Sequence, residues 1–169
     1  GAKIYGPTTI GPHCKVGGEI NNSVIFGYSN KAHDGFLGNS VIGEWCNIGA
    51  DTNNSNLKNN YAEVKLWSYA DNAFTSTGLQ FCGLFMGDHS KCGINTMFNT
   101  GTVVGVCANI YGSGFPRNFI PCFSWGGACG FKTHQPEKAL ETARLMMQRR
   151  NLELTQTDID ILKKIFDLT

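Results

Sequence analysis

The stretch MGDHSKCGINTMFNTGTVVGVCANIYGSG, residues 86–114, carries a six-residue beat without a slip. Met86-Gly87, Cys92-Gly93, Phe98-Asn99, Val104-Gly105 and Ile110-Tyr111 open successive hexads. The fifth place of each hexad is small: Ser90, Thr96, Thr102, Ala108 and Gly114. One apolar residue every six, with a small residue near each corner, describes a short flat strand that turns and repeats. Three such strands close one coil, and coils stack at the spacing of paired strands, about 4.8 Å. Residue i then lies beneath residue i+18, so Met86 should stack on Val104 and Cys92 on Ile110. This is the hexapeptide signature of a parallel β-helix, an all-β solenoid.

The beat extends outward. Ile4, Ile10-Gly11 and Val16-Gly17 are in step, as are Ile42-Gly43 and Ile48-Gly49. It breaks over residues 20–41, around His33, and again over about 55–82, which is polar and then aromatic. A solenoid expels such breaks as loops from a corner, where they build sites or interfaces. The β-helix is expected over residues 2–131 and a helical extension over 132–169. Pro136 opens a helical pattern through Ala139, Leu140, Ala143, Leu145, Met146 and Met147. A second helix is expected after a cap at Thr155 or Thr157, with Ile159, Leu162, Ile165 and Phe166 as its apolar stripe. The pair would cover the last coil's strand edges or pack on a neighbouring subunit. The run 112–127 is aromatic and Pro-rich for a coil and reads as a subunit contact or a lid.

Composition narrows the function classes. Net charge is +1, which gives no electrostatic case for nucleic acid or an anionic membrane. No apolar run approaches the roughly 20 residues of a membrane-spanning helix. The chain begins at Gly1 rather than Met, as expected of a piece with sequence upstream. Seven Cys at irregular spacing predict free thiols in a reducing, cytoplasmic setting rather than a disulfide framework. No CxxC, HxH or HxxxH occurs, so no metal site is expected.

His33, at the first break, is the candidate for chemistry. Ala50 follows it by 17 residues, about one coil, and Asn56 by 23. A base, a backbone N–H and a carboxamide converging on one corner are the parts acyl transfer to an amine requires. Here the sequence carries a family likeness. AHDGFLGNSVIGEWCNIGADTNNSN, residues 32–56, resembles the GHLxYLGDxxIGxxxNIGAGTxxxN segment of the left-handed β-helix acetyltransferase domain of bifunctional enzymes that make UDP-N-acetylglucosamine. The hexapeptide resemblance covers about residues 2–125, and the whole chain is most similar to the C-terminal part of their Bacteroidetes-type relatives.

The resemblance implies a left-handed β-helix with a C-terminal helical pair. It also implies acetyl-CoA as co-substrate, an amino-sugar phosphate such as glucosamine-1-phosphate as acceptor, and a homotrimer. A nucleotidyltransferase domain would precede residue 1 and alone would use Mg2+. His33 falls on the catalytic base, Asn56 on the Asn that positions the amino group, and Ala50 on the backbone donor to the acetyl carbonyl. Glu19 falls on a carboxylate near the base and Asn47 on an Asn of the sugar pocket. Phe36 stands where a Tyr usually contacts the sugar phosphate, and Asp51 where a Gly is usual at the cofactor. The family's Lys is absent near Asn21, leaving Lys31, Lys58 or Lys65 to supply phosphate charge. Val106, Cys107 and Asn109 are the expected cofactor wall. The alternatives are a non-catalytic β-helix that trimerises or regulates a sugar-phosphate nucleotidyltransferase, and a γ-type carbonic anhydrase, which needs three converging His ligands that His33, His89 and His134 lack the spacing to supply.

Overall fold

A computed structural model describes residues 1–169. The first coil is β1 (Lys3–Tyr5), β2 (Thr9–Ile10) and β3 (Lys15–Val16). The second is β4 (Glu19–Asn21), β5 (Val24–Ile25) and β6 (Asn30–Lys31), and the third is β7 (Phe36–Gly38), β8 (Val41–Ile42) and β9 (Asn47–Ile48). The fourth opens with β10 (Asn53–Asn54), leaves for a hairpin of β11 (Lys65–Ser68) and β12 (Ala73–Ser76), and returns as β13 (Leu84–Met86) and β14 (Lys91–Cys92). The fifth is β15 (Met97–Phe98), β16 (Thr102–Val104) and β17 (Asn109–Ile110). The sixth holds β18 (Phe119–Ile120) and β19 (Ser124–Gly127). Strand β20 (Gly130–Thr133) then folds back antiparallel on β19, before α1 (Pro136–Gln148) and α2 (Gln156–Asp167). The molecule is a left-handed parallel β-helix with two C-terminal helices.

Each face stacks its inward residues in a column. Ile25, Ile42, Met86, Val104 and Ile120 line one face, and Ile20, Leu37 and Phe98 another, all buried. Met86 pairs with Val104 and Cys92 with Ile110, the 18-residue step of the hexad rule. Small corner hydroxyls tie coil to coil: Ser90 Oγ donates to Gly105 O at 2.6 Å and accepts from Ala108 N–H at 3.0 Å. Two polar residues occupy inward columns. Asn54 receives the Gly38 N–H (2.9 Å) and donates to its carbonyl (3.0 Å), standing in for backbone pairing between β7 and β10. The other is Lys31, discussed below.

The two breaks in the beat are built differently. The 55–82 region leaves the coil, and its ends meet at a bridge between Leu57 and Phe81. The 20–41 region expels nothing, which corrects the loop expectation there. Its coils are merely shorter: the step is 15 residues from Thr9 to Val24 and 17 from Val24 to Val41. Corner residues are lost while every strand stays paired. The 112–127 run is corrected as well. Phe119–Gly127 is hydrogen-bonded coil, paired to β16 and β17, so only residues 112–118 form a bend outside the strands.

The end of the solenoid is closed by β20, whose Phe131 packs against the core, rather than by the helices. The helices instead lie along one corner. Ala139 and Leu140 of α1 and Leu162 of α2 are buried against Cys107 and Phe123. Thr155 caps α2 in a reciprocal capping box with Asp158. From the sixth coil, α1 reaches back to the second, where Arg150 Nη2 donates to Asn30 Oδ1 at 3.4 Å. Its 13 residues span about 20 Å, four coil spacings.

Candidate active site

Residues 32–35 and 49–52 turn the same corner in successive coils. The Asp51 N–H donates to Asp34 O at 2.9 Å, and the Asn95 N–H of the next coil donates to Ala50 O at 2.8 Å. Asp51 takes the left-handed conformation (φ +57°) that short polar side chains tolerate, so its carboxylate does not prevent the turn. Gly35 is required for two reasons. Its φ is +112°, and a Cβ there would lie 2.1 Å from Thr52 O.

This stacking places His33, Asn47 and Ala50 around one open cleft of about 500 Å3, with Lys15, Asn30 and Ile94. The His33 side chain is exposed. The Ala50 N–H makes no hydrogen bond within the chain, and Ala50 lines the cleft. Asn30 Nδ2 lies 3.5 Å from Asn47 Oδ1, so the two carboxamides form adjacent rungs on the outer face of β6 and β9.

Lys31 is not in the cleft. Its side chain points inward and is 1% exposed. The ammonium donates to Asp34 O (3.1 Å), Gly17 O (3.4 Å) and His33 O. Burial lowers its pKa, opposed by the nearby Asp34 and Asp51 carboxylates. Lys31 therefore braces the corner that carries His33 and has no surface to offer a phosphate.

The remaining sequence-predicted residues disperse. Glu19 and Phe36 sit around the corner on the outer face of β4 and β7, in a separate hollow of about 290 Å3 with Asp34 and Asn53. The Tyr5 hydroxyl donates to Glu19 at 2.6 Å. Asn56 lies one strand further on, donating to Asn39 Oδ1 at 2.8 Å, so β7 separates it from His33. Lys58 donates to Glu63 O at 2.7 Å at the base of the hairpin insertion, and Lys65 is on β11. Asp51 is exposed at its corner.

The three expected cofactor residues do not form one wall. Val106 lines an apolar groove of about 480 Å3 between β16, the hairpin and α2, with Trp67, Tyr69, Val103 and Ile165. Cys107 is buried under the helices, its carbonyl 2.9 Å from His134 Nδ1 and its thiol pushed up to about 12 by burial. Asn109 lies between Lys91 and Trp125 on β17.

Sequence reasoning missed Lys15, Asn30 and Ile94. Lys15, Asn30 and Asn47 form one column, but at steps of 15 and 17 residues, which the 18-residue rule does not reach. The fold and cleft define a left-handed β-helix with a polar corner site. No protein-family model matches the chain, and no curated protein matches it.

Proposed function

We propose that this chain is an acyl-CoA-dependent N-acetyltransferase domain acting on an amino-sugar phosphate. One observation carries the reading: an exposed imidazole, a free backbone N–H and a carboxamide share a single cleft, at His33, Ala50 and Asn47. The resemblance of residues 32–56 supports it.

The chemistry follows from the parts. The His33 imidazole removes a proton from the acceptor amine as its nitrogen attacks the thioester carbonyl. Charge develops on the carbonyl oxygen, and the preset Ala50 N–H stabilises it. The C–S bond then breaks, and the His33 imidazolium returns the proton to the departing thiolate. Asn47 and Asn30 offer donors and acceptors to the sugar hydroxyls. A homotrimer would wall the cleft on its open side and supply the rest of the cofactor groove, and the setting would be cytoplasmic.

A second reading, a non-catalytic trimerising β-helix, is favoured by one observation: Asn56 is held by Asn39, a strand away from His33. Acetyl transfer to glucosamine-1-phosphate separates the two. His33→Ala should cut kcat by about a hundredfold or more, the usual loss of a general base. Activity within a few-fold of wild type removes His33 as the base. Absence of both turnover and calorimetric acetyl-CoA binding at millimolar concentration leaves the scaffold reading.

A further inference from the structure

We infer that Lys15, Arg149 and Arg150 form a phosphate-group site at the end of the His33 cleft. The three cations surround a pocket of about 160 Å3, with Asn30 and Met146 completing its wall and no carboxylate lining it. They come from opposite ends of the chain. Lys15 belongs to the first coil, and the arginines follow the last turn of α1. The pocket shares Lys15 and Asn30 with the His33 cleft, so the two hollows adjoin across these side chains.

The main chain of both arginines is fixed at the helix end: Arg149 N–H donates to Leu145 O and Arg150 N–H to Met147 O. Arg150 spends one guanidinium contact on Asn30, at 3.4 Å, which leaves the rest of its fork to a ligand. Arginines at a helix C-terminus also favour the helix dipole. That effect accounts for neither Lys15 nor the shared wall with the cleft. Planar guanidinium forks with an ammonium beside them suit the oxygens of a phosphate ester.

This pocket supplies the charge that Phe36, the buried Lys31 and the position of Lys58 do not. The identity of the ligand rests on the acyl-transfer reading; phosphate recognition itself does not. Two ligands carry the group, an amino-sugar phosphate and coenzyme A.

The test begins with binding of inorganic phosphate to the full chain by calorimetry at low ionic strength. Arg149→Gln/Arg150→Gln should weaken it about tenfold or more, since charge-assisted contacts are lost. Lys15→Gln should act in the same direction, and Lys138→Gln, an exposed lysine elsewhere on α1, should not. Melting curves check that each variant is folded. Equal phosphate binding by wild type and the double variant, or no binding by wild type, overturns the site. In turnover, a raised KM for glucosamine-1-phosphate but not glucosamine assigns the sugar phosphate. A raised KM for acetyl-CoA that disappears with 3′-dephospho-acetyl-CoA assigns the cofactor. If His33→Ala leaves turnover intact while the arginine variant still loses phosphate, the acyl-transfer mechanism fails and the anion site stands.

Discussion

Two corners flank the same face of the solenoid, and each carries a histidine. The backbones are alike. His89 (φ +58°) donates its N–H to Glu44 O at 2.9 Å, and Asp51 (φ +57°) donates to Asp34 O at 2.9 Å. Side chains make the difference. The His89 corner is a ladder of rings: His13 stacks on Tyr28 at 4.9 Å, Tyr28 on Trp45 at 4.2 Å, and His89 follows at 6.3 Å. Helices α1 and α2 seal the upper rungs, Cys107 and Phe123. The His33 corner has small and polar residues, Ala32, Asp34, Ala50 and Asp51, and stays open. One turn geometry thus serves as core or as cleft according to which side chains it holds, and a histidine's neighbours decide whether it can meet a ligand.

The largest effect expected from this contrast is on acid stability. Burial, with the Lys91 charge adding to it and Asp158 opposing, pushes His89 down to about 4. Its Nδ1 is buried without a hydrogen-bond partner. The unfolded chain binds a proton at this position near pH 6.5, and the folded chain does not. Stability therefore falls as pH drops from about 6.5 toward 4, by on the order of 3 kcal/mol. Denaturant unfolding of wild type and His89→Asn across that range checks it. A variant with an unchanged acid slope would mean that the sealed corner is not what makes this histidine resist protonation.

The open corner depends on Lys31, and Lys31→Met probes it. The substitution removes a desolvated charge, but it takes the donor from the carbonyls of His33 and Asp34. The net loss should be about 1–3 kcal/mol, the cost of stranding buried acceptors. Because the folded state holds the Lys31 proton less firmly than the unfolded chain, wild type should gain stability as pH rises toward 10.5, and the variant should lose that gain. On the proposed acyl-transfer reading, kcat should fall with it, since the brace under His33 is gone. Full activity with unchanged stability would separate the corner's geometry from its lysine.

The contrast also marks what the sequence could reveal. The column Met86–Val104 and the helix pattern from Pro136 were legible because each follows a fixed period. Lys31 was not, because nothing in KAHDG announces that its lysine faces inward. That follows only from the shortened step, which puts position 31 in the column of Val16. Asn56 was misjudged for a related reason. Counting 23 residues from His33 ignores the strand β7 and its corner at Asn39, which separate the two in space. Arg149 and Arg150 were invisible, since their place beside Asn30 depends on how α1 packs and on no local pattern.

The smallest expected effect tests whether the two corners are independent. Thr155 caps α2, and its hydroxyl accepts the Asp158 N–H at 3.2 Å. Thr155→Ala should cost about 1 kcal/mol, an ordinary N-cap loss. The Asp158 carboxylate, held below its usual range by its bonds to the Thr155 hydroxyl and N–H, should titrate higher in the variant. Fraying the first turn of α2 admits water beside His89, so the His89 pKa should rise from about 4 toward 6.5. The open corner is braced by Lys31 and by bonds between coils, none of which involves α2. NMR should therefore show the His89 titration moving, while the backbone amide signals of residues 32–35 and 49–52 stay where they are in wild type. A shift of both would mean that the helices set the whole face as one unit, and that the open corner is shaped by the same packing that seals its counterpart.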